Sequence, residues 1–172
     1  MTTTPQQLAD RGKKAFTDKK FGQAASIFAE AASAYHAADD ALNAAEMKNN
    51  QSVALLQAGN AQAAFDAAAG TDALFAEAGD VKRQAMAFGN QAAALEALKK
   101  LDQALEAYER SAELFAEAGE KEMRSMVLQS AAALKLRRGK MVDSALSMIG
   151  SVESTEKPTL IQRFLRFLLR RL

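Results

Sequence analysis

Few side chains in this sequence are equipped for covalent or acid–base chemistry. There is one histidine, His36, with Asp39 and Asp40 close by, and there is no cysteine. An imidazole can hold or pass a proton, but a catalytic site also needs a nucleophile or a second metal ligand beside it, and none is evident. His36 therefore reads as a surface residue. The missing cysteines exclude a disulfide framework and any thiolate metal site. Gly70-Thr71 and Gly89-Asn90 lack the preceding strand and spaced glycines of a phosphate loop, so they read as close-packing points within helices. Acidic pairs such as Glu117 and Glu120 read as solvated helix ends. No catalytic residue, metal or cofactor is expected, and the chain is read as not an enzyme.

Interfacial chemistry is better represented. Residues 157–172, KPTLIQRFLRFLLRRL, carry Lys157, Arg163, Arg166, Arg170 and Arg171 with no acidic residue. Five of the 22 basic residues lie there, leaving 17 against 21 acidic ones elsewhere, so a net charge of +1 conceals a basic tail on an acidic body. At 100° per residue Leu160, Ile161, Phe164, Leu165, Phe167 and Leu168 fall on a wide apolar arc, and Arg163, Arg166 and Arg170 cluster opposite. Pro158 suits a first helical turn. A cationic amphipathic helix of this kind can lie in an anionic membrane interface, cap the end of a helical stack, or self-associate. It is too short to span a bilayer.

The elements that must position such groups show a repeat. AYHAADD, LFAEAGD and LFAEAGE, containing Tyr35, Phe75 and Phe115, end a helix at 40-residue intervals. Ala24, Ala64, Ala104 and Ser144 form one small-residue column, and Gly12, Ser52, Ala92 and Ala132 another. Phe28, Tyr108 and Met148 recur as large groups, with Ala68 the exception. Small residues on two helices allow close antiparallel packing. Asp39-Asp40, Gly79-Asp80 and Gly119-Glu120 are expected to start helices, with Gly79 and Gly119 in left-handed positions. Turns are expected at Gly59-Asn60 and Gly139-Lys140. The fold class is therefore all-α: four helical hairpins at about 5–38, 39–78, 79–118 and 119–151, a linker at 152–157 and a terminal helix at 158–172. Without an export signal or a run of about 18 apolar residues, a soluble cytoplasmic protein is expected, possible peripheral membrane attachment being confined to the tail.

The pattern resembles the tetratricopeptide repeat. Phe88, Asn90, Ala92, Leu95, Ala104, Tyr108 and Ser111 carry it in the third repeat, and Leu8, Gly12, Ala15, Ala24, Phe28 and Ala31 in the first. The 40-residue period is similar to the subclass with a lengthened second helix. Ala68, Lys48 and Lys135 depart from the usual residue types. The resemblance implies a right-handed superhelical solenoid whose first helices line a concave groove for a peptide or helix of a partner protein. It also implies groove-facing amides at Asn50 and Asn90, with Asp10 and Ser130 at the matching outer positions; these amides could instead tie repeats together or face water. An amide offers donor and acceptor at once and suits an extended backbone. Other groove candidates are Asn49, Val53, Leu56, Met86, Gly89, Ala93, Met126, Gln129 and Ala133, a surface with adaptable methionines. These positions supply little positive charge, so a carboxylate-clamp ligand is not expected. Nucleic acid is not an expected partner, because the basic residues of the repeats are interleaved with acids.

Overall fold

Alanine, the best helix former, is frequent and only two prolines occur, so long uninterrupted helices are favoured. The computed structural model describes residues 3–153, with side chains through residue 140 and at Val142. Helices run α1 Pro5–Thr17, α2 Phe21–Ala37, α3 Ala41–Gln57, α4 Ala61–Ala68, α5 Thr71–Glu77, α6 Val81–Ala97, α7 Leu101–Glu117 and α8 Lys121–Glu153. No strand occurs among the described residues. The fold is all-α and built from repeated helical hairpins.

One turn is used six times. Lys19, Asp39, Gly59, Gly79, Lys99 and Gly119 all have positive φ, between 57° and 82°, and they fall every 20 residues. At each, the following amide donates back five residues, as in Lys20 N–H to the Ala15 carbonyl at 2.9 Å and Asp80 N–H to the Phe75 carbonyl at 2.9 Å. This satisfies carbonyls that the ending helix leaves open. At two of the turns the next residue also caps the following helix through its side chain: the Asp40 carboxylate accepts from Asn43 N–H at 3.1 Å and the Asp80 carboxylate from Arg83 N–H at 2.9 Å, whereas Lys20, Asn60 and Lys100 make no such bond. The expected left-handed positions of Gly79 and Gly119 are thus observed. Lys19, Asp39 and Lys99 take the same conformation without a glycine.

The small-residue columns mark where helices touch in the first three repeats, whereas Ala132 on α8 is exposed. Ala24, Ala64, Ala92 and Ala104 are fully buried and Ser52 nearly so. Gly12 lies under Phe28, where an added Cβ would sit 2.7 Å from two ring carbons. Gly89 also packs closely, its notional Cβ being 3.3 Å from Ser111 Oγ.

Three sequence expectations require correction. Gly70 is not a packing point inside a helix: it has φ +76° and divides the second hairpin's outer helix into α4 and α5. The break leaves the Ala68 carbonyl to be satisfied by side chains, and Thr71 Oγ1 donates to it at 2.7 Å and Gln91 Nε2 at 3.2 Å. Conversely, no turn forms at Gly139-Lys140, since α8 is helical from Lys121 to Glu153. Glycine permits the left-handed conformation without requiring it. The first residues of the expected linker, 152 and 153, are helical too. The rest of the linker and the 158–172 helix lie outside the described residues.

The chain divides into two compact units, Met1–Ala131 and Ala132–Leu172. The first holds α1 to α7 and the start of α8. Its core comprises a cluster around Leu8, Ile27, Phe28, Ala31 and Met47, a smaller one around Ala45, Phe75 and Ala87, and a third around Ala85, Leu114 and Phe115. Within the second unit the described part is the remainder of α8, where Leu136 and Val142 are exposed.

Candidate functional site

The inner helices α1, α3 and α6 carry two adjoining depressions in the first unit. One, of about 220 Å³, lies between α3 and α6 and is lined by Glu46, Asn49, Asn50, Val53, Phe75, Arg83, Met86 and Asn90. The other, of about 270 Å³, lies between α1 and α3 and is lined by Lys13, Phe16, Thr17, Phe28, Asn50 and Val53. Asn50 and Val53 line both. Residues 46, 50 and 53 recur at helical spacing, so α3 presents one continuous edge to the two depressions.

Of the residues singled out from the sequence, Asn49, Asn50, Val53, Met86 and Asn90 are brought together here. Leu56, Ala93, Met126, Gln129 and Ser130 line neither depression. On α8, Gln129 Nε2 lies 3.5 Å from Ser125 Oγ and Ser130 Oγ donates to the Met126 carbonyl at 3.2 Å, both bonds staying within the helix. Met126 itself is exposed.

The asparagines divide by role. Asn49 is 6% exposed; its Nδ2 donates to Thr71 Oγ1 at 3.1 Å and its Oδ1 accepts from Asn90 Nδ2 at 3.1 Å. Together with the Thr71 bond to the Ala68 carbonyl, this forms a relay from α6 through α3 to the α4–α5 break. Buried polar groups demand such partners, and among the described residues no buried side-chain N or O lacks one. Asn49 and Asn90 therefore join neighbouring repeats. Asn50 is half-buried at the rim of both depressions.

Arg83 organises the α3–α6 depression, and the sequence reading omitted it. Its Nε donates to Asp80 Oδ2 at 2.6 Å, its Nη1 to Glu46 Oε2 at 3.3 Å, and its guanidinium lies 5.1 Å from the Phe75 ring centroid. The signal that could have revealed it is the spacing Asp80–Arg83, which repeats Asp40–Asn43 forty residues on: a capping aspartate followed at N3 by a donor. Burial pushes the Asp80 carboxyl up, but the Arg83 N–H, its guanidinium and Lys82 outweigh this and hold it below the ordinary value of 3.8. A depressed folded-state value stabilises the fold above the ordinary pKa, and that contribution is lost as pH falls through the lower folded value. Asp80→Ala is accordingly expected to cost about 1 kcal/mol near neutrality. Denaturant unfolding of both chains should show this gap narrowing as pH falls below the ordinary value of 3.8; an undiminished gap in acid would mean that the charge is not its source.

His36 lies elsewhere, exposed on α2. Among the described residues no helix is long and apolar enough to cross a membrane.

Paired helices, a uniform turn and a polar-edged surface on the inner helices define a helical-repeat protein. The chain belongs to the SNAP family, described as soluble NSF attachment protein, whose model matches residues 12–154. Comparison with curated proteins and with solved structures yields no match.

Proposed function

We propose that this protein is a non-catalytic, cytoplasmic adaptor that binds a peptide or helix of a partner protein along α1, α3 and α6, in the manner of a tetratricopeptide groove. The observation carrying this reading is the pair of adjoining depressions that share Asn50 and Val53. Phe16, Val53 and Met86 offer apolar contact, while the Asn50 amide supplies a donor and an acceptor between them. Lys13 places positive charge at the α1–α3 depression, while Arg83 at the other is paired with Asp80 and Glu46. The family description supports attachment as the task, and NSF is the partner it names. Asn50→Ala should weaken a captured partner about tenfold, the value of one well-made hydrogen bond at an interface. Isothermal titration of the full-length proteins would measure it, and unchanged affinity would remove Asn50 from the site.

A second reading adds membrane attachment through residues 158–172. It rests on the charge division between that segment and the rest of the chain. Sedimentation with anionic vesicles should retain the full chain and lose a chain ending at Glu156, and equal recovery of both in the supernatant would sink it.

A further inference from the structure

The other side of α3 carries a larger cavity that the groove does not use. Residues 41, 44, 45, 48 and 51 of α3 lie about half a turn around the helix from 46, 50 and 53. With α2 and Leu74 of α5 they enclose an open trough of about 490 Å³. Its floor is alanine, including Ala32, Ala44 and Ala45, and Lys48 and His36 stand at its edge.

The 40-residue register explains why it is hollow. Ala41, Ala45, Lys48 and Leu74 correspond to Val81, Ala85, Phe88 and Leu114. One repeat later, Val81 and Phe88 pack against the cluster of Ala85, Leu114 and Phe115, and Leu114 is 3% exposed. In the trough the corresponding pair is Ala41 and Lys48, and Leu74 is left 37% exposed. The fold thus contains a filled and an unfilled copy of one packing site. The missing group has the size of a phenylalanine or leucine side chain.

We infer that the trough receives such a side chain from an acidic amphipathic segment of a partner protein. The ionisable groups lining the trough are Lys48 and His36, with no carboxylate among the described lining residues. An apolar residue flanked by glutamate or aspartate would fill the hollow and face the lysine. The chain's own 157–172 segment, rich in phenylalanine and leucine but carrying five cations and no anion, has the wrong charge. This site is independent of the groove proposed above.

The test uses the full chain and two fluorescein-labelled helical peptides, each with phenylalanine and leucine on one face. One bears glutamates on the other face, and its counterpart bears lysines. The glutamate peptide should bind, shift the backbone amide resonances of Ala44, Lys48 and Leu74, and outcompete the lysine peptide. Lys48→Phe, which supplies the missing ring in cis, should weaken it by at least about tenfold. Lys48→Glu, a change at an exposed position, should reverse the preference between the peptides and serves if the phenylalanine variant folds poorly. Asn50→Ala should leave both affinities unchanged, separating this site from the groove. No binding of the glutamate peptide, the same preference with Lys48→Glu, or resonance shifts confined to α1, α6 and the Asn50 edge of α3 would each overturn the inference.

Discussion

Phe75→Ala is expected to destabilise the first unit by about 3–5 kcal/mol, the largest effect of any single truncation considered. Phe75 is 1% exposed and belongs to the cluster with Ala45 and Ala87. Those neighbours are alanines, and among the described residues the one longer apolar side chain packed against the cluster is the partly buried Leu42, so the site can collapse little. The loss therefore includes most of the void as well as the transfer free energy of the ring. Arg83 would also lose the face over which its guanidinium sits at 5.1 Å. For a chain of this length the midpoint of thermal unfolding should fall by about 10 °C. Leu74→Ala, one residue away at a partly exposed position, should cost about 1 kcal/mol or less. Calorimetry of the two variants would check the contrast; equal losses would mean that the cluster around Phe75 is not the core of this repeat.

The second large effect is expected at Asn49. Asn49→Ala removes the acceptor for Asn90 Nδ2 and the donor to Thr71 Oγ1 in one step. Thr71 is 1% exposed, so water cannot readily replace the lost partner. The expected cost is about 2–3 kcal/mol, summing a buried hydrogen-bond pair and the stranded polar groups. A double-mutant cycle with Thr71→Ala should give a coupling of about 0.5–3 kcal/mol, because the two side chains share one relay. Asn50→Ala should lie within about 0.5 kcal/mol of the unmodified chain. Stability would thus separate two adjacent asparagines, one holding repeats together and the other facing the depressions. A small loss at Asn49 would place it with Asn50 as a surface amide.

That division shows where sequence reasoning reaches and where it stops. Periodicity located the interhelical contacts of the first three repeats, since Ala24, Ala64 and Ala104 and also Gly12, Ser52 and Ala92 are buried, but it failed at Ala132, which is exposed. It also located the starts of α3 and α6, where a left-handed residue is followed by a capping aspartate, whereas the helix end it indicated at Gly139-Lys140 does not occur. It could not rank Asn49 against Asn50: a 100° step on one helix moves a side chain from the interior to a rim, and which way α3 is turned depends on α5 and α6. Glycine was ambiguous for a similar reason. Gly70 breaks a helix because Thr71 and Gln91 satisfy the carbonyl it releases, whereas Gly139 stays helical, and no local signal distinguishes the two. Lys48 was visible as an exception to the repeat. Its consequence depended on Leu74, 26 positions away. Arg83 was missed because its importance comes from reaching three groups on three elements.

The uniform turn bears on how this architecture can change in length. Because the six like turns follow one another at 20-residue intervals, and the first and second helices of the hairpins alternate, an insertion of 20 residues would exchange the two roles for everything downstream. An insertion or deletion of 40 would leave every later helix with its own neighbours' kind of surface to meet. Duplication is therefore quantised in whole hairpins, and the proposed binding surface could lengthen or shorten only by one hairpin's first helix at a time.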